Sequence, residues 1–230
     1  MNSTNFSLKT LVLVGLASHV IFVHAMSPKA IKKETPHYII DIKYPQEFST
    51  PAVNGVIQNY IDNMQKNFLN ELSEDADTRV DAPGKTGINV TYTIPYQTAN
   101  ALSVRFDVSI YHRGAAHPSN TVVVKNFIKG QEVQLAYLFA ADANYLKPIA
   151  TFCKQQITAK KISDTKWIEE GTNPTDDNYK VWHFTNKGLA IIFDSYQVAA
   201  YVYGEQTVPV PLSVISANLK PEVFKVVWGN

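Results

Sequence analysis

Leu102-Ser-Val-Arg-Phe-Asp-Val-Ser-Ile110 is the stretch that decides the fold of this chain. Leu102, Val104, Phe106, Val108 and Ile110 occupy one face of an extended segment, with Ser103, Arg105, Asp107 and Ser109 opposite. That alternation is the period of a pleated strand, because successive side chains point to opposite sides of the sheet. Upstream, Ile88, Val90, Tyr92 and Ile94 repeat the pattern, and Gln97-Thr-Ala-Asn100 supplies a polar link. The two segments predict an antiparallel hairpin with one dry face and one wet face.

Working outward, His37-Tyr-Ile-Ile-Asp-Ile-Lys-Tyr44 alternates like a strand and stops at Pro45. Thr50-Pro51 then reads as a helix start, with proline at the first helical position. Val53, Ile57, Tyr60, Ile61, Met64, Phe68 and Leu72 recur at helical spacing before the acidic run Ser73 to Asp81. Beyond the hairpin, strands are expected at Thr121 to Val124 and Leu135 to Phe139, about a turn at Lys129-Gly130. A second helix is expected from Asp142 to about Lys161, with Leu146, Ile149, Cys153 and Ile157 on one stripe. Gly171 to Asn178 reads as a loop, and Tyr179–Phe184 with Leu189–Phe193 as a second hairpin about Thr185 to Gly188. Tyr196 to Val210 is aromatic and β-rich, and a short helix starts near Pro211. The fold class is α+β: two strand–helix–hairpin halves, mainly antiparallel sheet, with one packed helix each. The N-terminal half is placed at 37–130 and the C-terminal half at 131–218, between a flexible lead at 26–36 and a tail at 219–230.

Residues 1–25 combine one cation, Lys9, an apolar run from Leu11 to Val23 dented by Ser18 and His19, and a small-residue end at Val23-His24-Ala25. That is the signature of a secretory signal peptide cleaved after Ala25, and the run is too interrupted for a comfortable membrane span. The expected location is periplasmic or secreted, with no stable membrane anchor after cleavage. The chain carries 21 basic and 20 acidic residues, with 45% hydrophobic and 18% charged content, which suits a folded soluble domain. Such a balance gives no broad positive field for a phosphate backbone, so no nucleic-acid partner is expected. The single cysteine, Cys153, cannot form a disulfide within the chain and reads as a buried thiol.

The standard catalytic signatures are missing: there is no G-x-S-x-G elbow, P-loop, G-x-G-x-x-G, H-E-x-x-H or C-x-x-C. The densest cluster of reactive side chains is Tyr111-His-Arg-Gly-Ala-Ala-His-Pro118, at the end of the long strand. His112 and His117 could serve as acid and base or as metal ligands, with Arg113 binding an anion. No acidic residue lies inside the cluster and a five-residue separation is not a ligand spacing, which favours the other reading: Gly114 and Pro118 build a tight corner in which histidines hydrogen-bond the turn. Asp176-Asp177 lacks calcium-loop spacing and reads as a solvated loop. His183 reads as a half-buried partner of a backbone group, and Tyr196, Tyr201, Tyr203, Trp167 and Trp182 as core, rim or stacking aromatics. The candidate binding residues are therefore Tyr111, His112, Arg113, His117, Tyr196, Tyr201 and Tyr203, with no catalytic residue, metal or cofactor assigned.

Gly114-Ala-Ala-His-Pro118, Val133 to Phe139, Phe184 to Phe193, Ser195 to Gly204 and Val208-Pro-Val-Pro211 resemble successive blocks of one family. It is the RsiV-like family, the extracytoplasmic module of lysozyme-sensing anti-sigma factors. The module is also found beside the deacetylase domain of PdaC-type peptidoglycan enzymes and in secreted mycobacterial antigens. The likeness runs from about Tyr38 to Ile215. It implies a two-part α+β module that works by binding, with a lysozyme as partner in the sensors. No transmembrane helix, anti-sigma segment or deacetylase domain is read in this sequence, so signalling and deacetylation are not carried over. The expected function is that of an exported, non-catalytic binding protein of the cell envelope. Its partner would be a lysozyme, another wall-related protein, or peptidoglycan, and acidic loops at Glu74-Asp75-Ala-Asp77 and Asp176-Asp177 would suit a basic one. The alternatives are an envelope hydrolase pairing His112 or His117 with Asp107 or Asp194, and a structural or antigenic secreted protein without a small ligand. N-terminal sequencing of the exported protein should begin at Met26; a product retaining Met1 would contradict the signal-peptide reading.

Overall fold

The computed structural model describes residues 28–74 and 84–229. The expected signal peptide, and Asp75 and Asp77 of the acidic run, lie outside the described residues. Six strands form the larger sheet in chain order: β1 (Lys29–Glu34), β2 (Tyr38–Tyr44), β3 (Thr86–Gln97), β4 (Ala101–Tyr111), β5 (Ser119–Ile128) and β6 (Gln131–Glu132). Neighbours are antiparallel except β2 and β3, which run parallel. Parallel neighbours need a crossover, and helix α1 (Pro51–Glu74) supplies it. Val53, Ile57, Ile61 and Phe68 of α1 are buried with Ile40, Ile42, Ile88, Val90, Val104 and Phe106 in one core. This is the dry face read from the alternation.

The lead at 26–36 is not flexible throughout, because Lys29 to Glu34 is the edge strand of the sheet. Ile31 pairs with Ile42 and Lys32 with Asp41, whose carboxylate lies 3.7 Å from the Lys32 ammonium. Three lysines hid the strand, yet charged side chains are what an exposed edge needs to resist pairing with another chain.

The opposite face of the hairpin is wet only in part. Register slips between Thr93 and Tyr96, so that Tyr96 lies opposite Ser103 instead of facing α1 with Tyr92. Pro95 sits inside the slip, where its missing N–H costs no ladder bond. One extra residue reverses every side chain beyond it. Tyr96 thereby joins Ala101, which unbroken alternation along β4 places on the Ser103 side, in a second core with Phe139, Ile149, Cys153, Trp182, Phe184, Leu189 and Val210.

That second core belongs to the C-terminal lobe. Leu135–Leu138 forms a 3-10 turn instead of the expected strand. Helix α2 (Leu146–Lys160) buries Ile149, Cys153 and Ile157 as expected. The expected loop at 171–178 is more ordered than its composition suggests. It is bracketed by helix α3 (Thr165–Gly171), capped by the Asp164 side chain, and by a 3-10 turn at Asp176–Tyr179, capped by Thr175. The second hairpin is β7 (Trp182–Thr185) and β8 (Gly188–Phe193), and β9 (Gln206–Pro211) completes a three-stranded sheet. Helix α4 (Leu212–Ile215) follows, near the expected Pro211. The tail is docked: helix α5 (Pro221–Val227) buries Val223 and Val227, Tyr96 OH donates to Val227 O at 2.6 Å, and Trp228 Nε1 donates to Thr185 O at 2.9 Å.

The lobes meet along the outer edge of β7, an edge strand of the small sheet. There Phe184 N–H donates to Ser103 Oγ (3.1 Å), whose hydroxyl donates to Asn126 Oδ1 (2.6 Å), and Asn126 Nδ2 donates to Trp182 O (2.7 Å). Ser103 and Asn126 are fully or almost fully buried. Two side chains of the large sheet thus satisfy backbone groups that would otherwise be left dry and unpaired. Asn126→Ala leaves the Trp182 carbonyl without its donor and the Ser103 hydroxyl proton without its acceptor. Urea unfolding should show a loss of about 3 kcal/mol, from two unsatisfied buried groups; a loss below about 0.5 kcal/mol would contradict the bridging role.

Candidate functional site

The site forms where the 194–205 segment crosses the polar face of the hairpin. Arg105 stands at its centre, with its side chain four-fifths buried. Its Nε and one terminal nitrogen donate to Asp107 Oδ1 at 2.9 and 2.6 Å, and that nitrogen also reaches Glu205 Oε2 at 2.6 Å. Burial works against the Arg105 charge, but the two carboxylates outweigh it and raise its pKa. Asp194, at the start of the crossing segment, accepts the Val122 N–H of β5 at 3.1 Å. Its carboxyl titrates above the ordinary value because burial disfavours the anion, against the pull of Val122 N–H, with Glu205 adding to the rise. These groups border a cavity of about 370 Å³ that also takes in Asn89 and Asn120.

Gln197 holds the crossing segment in place. Its Oε1 accepts the Asp194 N–H, and its Nε2 donates to Gly171 O and Asn178 O at 3.1 and 3.0 Å. Gly171 has no room for a side chain, because a Cβ there would collide with the Gln197 carbonyl oxygen. Trp167 Nε1 donates to Tyr196 O at 2.9 Å and helps fix that residue at φ +69°. A bulky residue in the left-handed region costs roughly 1–2 kcal/mol, so this conformation persists only because its surroundings impose it.

The sequence candidates separate into two groups. His117, Tyr196 and Tyr201 come together at the rim of the cavity: the His117 ring stacks on Tyr201 (4.1 Å between centroids), and Tyr196 lies 5.5 Å from Tyr201. His117 Nδ1 lies 2.9 Å from Pro118 O; a carbonyl can only accept, so that nitrogen carries the hydrogen. Tyr201 OH donates to Pro118 O, and Asn120 Nδ2 donates to Tyr201 OH. Tyr196 and Tyr203 remain 54% and 50% exposed, and Val202 between the tyrosines is 83% exposed. Tyr111, His112 and Arg113 stay at the other side of the turn, where Arg113 N–H donates to Thr86 Oγ1. The carboxylates weighed as histidine partners are engaged elsewhere, Asp107 by Arg105 and Asp194 by Val122.

His183 is half-buried with Nδ1 2.8 Å from Phe184 O, as its sequence context suggested, and burial lowers its pKa. Trp182 is core. Cys153 is buried, and burial pushes its thiol up to about 12, which leaves it inert as a nucleophile. Among the described residues no group of three His, Cys, Asp or Glu side chains is placed to hold a metal ion, and no helix is long and apolar enough to cross a membrane. Sequence reading missed Arg105 and Asn120 because their strand face was taken as solvated, and Glu205 because it lies outside any strand, in the segment that crosses that face. A lone arginine midway along a polar strand face was the available signal, since such a charge recruits carboxylates when something covers it.

The raised pKa of Asp194 has a consequence for stability. Proton binding to such a carboxyl favours the fold; the contribution is complete below the unfolded value near 3.8 and is lost as pH rises through the raised folded value. Asp194→Asn keeps an acceptor for Val122 and removes the titration. The variant should melt above wild type at pH 7, with the difference closing as the solution is acidified toward about pH 4. A variant less stable at pH 7, by a margin that does not change with pH, would contradict this.

Residues 31–120 match the family model described as deacetylase PdaC, and residues 136–213 match the model for a protein of unknown function, DUF3298. The peptidoglycan-N-acetylmuramic acid deacetylase PdaC of Bacillus subtilis (strain 168) is 23% identical over 185 residues, covering 79% of this chain and 39% of the enzyme. The chain thus spans about two fifths of that relative's length. A DUF3298 family structure from Bacteroides fragilis NCTC 9343 superposes with a TM-score of 0.60 at 16% identity, covering 88% of this chain and 97% of its own. One from Pseudomonas aeruginosa PAO1 gives 0.58 at 12% identity, covering 86% and 96%. Likeness at that identity establishes the fold. This chain therefore joins a region matching the PdaC family model to one matching DUF3298, in the fold of the solved DUF3298 proteins.

Proposed function

We propose that this chain is an exported, non-catalytic binding module of the cell envelope, and that its ligand is the wall polymer. The observation that carries the reading is the ledge of Tyr196, Tyr201 and His117, with half-exposed Tyr203 two residues beyond Tyr201, beside a polar cavity to which Asn120 ties it. Exposed aromatic rings present an apolar face and a polar tip, which suits ligands with both characters. Loops carried on a rigid two-sheet scaffold are where binding residues concentrate. The PdaC relative, named for an enzyme of peptidoglycan, supports an envelope setting. So does the signal-peptide pattern of residues 1–25.

Val202 favours a second reading. Its aliphatic side chain, 83% exposed between two half-buried or exposed tyrosines, adds to an exposed apolar patch of the kind that marks protein-interaction sites. That partner would be a wall-related protein such as a lysozyme.

Cosedimentation with insoluble peptidoglycan, beside calorimetry with a lysozyme, tests both. The mature protein should pellet with peptidoglycan, and Tyr196→Ala with Tyr203→Ala should weaken this at least tenfold, from roughly 1 kcal/mol for each ring lost. Binding to the lysozyme alone would replace the first reading with the second. Binding to neither would overturn both.

A further inference from the structure

The geometry points to the cavity beneath the tyrosine ledge as a subsite for one neutral sugar ring of an N-acetylated glycan. The inference rests on the envelope reading and specifies its ligand. At about 370 Å³ the cavity falls within the size range of small-ligand sites. Its floor is the polar strand face: Asn89 lies opposite Ser109, Thr91 opposite Asp107, and Asn120 opposite Ser109 on the other side. Residues directly opposite on antiparallel strands project to the same side, so these side chains line one face.

The charges discriminate among ligand classes. Three carboxylates, Asp107, Asp194 and Glu205, line the cavity against one guanidinium, so a phosphate or sulfate would enter a field of its own sign. A cation would compete with Arg105, which already holds Asp107 and Glu205 at 2.6 Å. What remains unused is hydrogen-bonding capacity. Each carboxylate engages its protein donors through one oxygen, Asp107 Oδ1, Asp194 Oδ1 and Glu205 Oε2. Among the described residues the second oxygen of each has no protein donor. Those oxygens accept hydroxyl protons, while the Asn89 amide and the Thr91 hydroxyl, also without protein partners among the described residues, can donate to ring or acetamido oxygens. A neutral, hydroxyl-rich ring satisfies these groups without introducing a charge.

Cavity and ledge are physically joined. Asn120 lines the cavity and donates to Tyr201 OH at 2.8 Å, and Ser195, also in the lining, adjoins Tyr196. A glycan with one ring in the cavity would lay the next across the tyrosines.

Calorimetry with an N-acetylglucosamine tetramer tests the inference, using wild type and Asn89→Ala plus Thr91→Ala. Both substitutions fall at exposed strand positions with no protein partner, and matching melting curves would show the fold intact. The tetramer should bind wild type and bind the double variant at least tenfold more weakly. Equal binding by the two proteins would overturn the subsite. So would spermidine displacing the tetramer, since the cavity would then select cations. Peptidoglycan pelleting without tetramer binding would overturn the subsite and leave the envelope reading standing. Failure of both would overturn both.

Discussion

The outer edge of β7 is the constraint on which the rest of the structure depends. An edge strand presents backbone donors and acceptors that must be hydrated, paired with another strand or satisfied by side chains. Here it is pressed against the large sheet, so water is excluded, and Ser103 and Asn126 serve in place of a further strand. The arrangement fixes both the distance and the register between the lobes, because two hydrogen-bonded groups on each side must align together. Tyr96 extends the seam with its bond to Val227 O, while Trp228, within the C-terminal lobe, holds the tail to Thr185 O of β7. The C-terminal lobe does not close its core alone: Tyr96, Ala101 and Ile128 of the large sheet are buried among its residues.

The same docking makes the candidate site. Once β7 is seated at Ser103, the crossing segment is carried over Arg105 and Asp107, and the strand face beyond it, at Asn89 and Thr91, stays open. Arg105 serves structure and site at once, tying Asp107 of the hairpin to Glu205 of the opposite lobe. Exposed ion pairs contribute little to stability, but this guanidinium is mostly shielded, and its fork fixes the direction of two carboxylates. Both carboxylates line the cavity with little freedom to turn away.

Much of this was legible from residue order. Strict alternation at 102–110 and helical spacing at 53–72 gave α1 and the central hairpin, and Thr185 to Gly188 gave the second turn. What failed were positions where tertiary context overrides local composition. Lys29, Lys32 and Lys33 looked like a solvated lead and are an edge strand. Leu135 to Leu138 is apolar enough for a strand, yet coils into a 3-10 turn whose Leu135 and Leu138 both reach the core. The slip about Pro95 sends Tyr96 to the opposite side, which no period-two count can register. For the site, His117, Tyr196 and Tyr201 were recognised as chemistry-bearing but could not be brought together by sequence. Arg105 and Glu205, a hundred residues apart, were invisible as a pair because nothing local signals that the polar strand face is covered.

The central claim is that docking of the two lobes creates the ligand site on the hairpin's polar face. Its most direct test is an amide chemical-shift map of the protein titrated with soluble peptidoglycan fragments. The account predicts shifts confined to Asn89–Thr91, Arg105–Asp107, His117–Val122 and Asp194–Glu205. Shifts clustered instead along α1, or no shifts at saturating fragment, would contradict it.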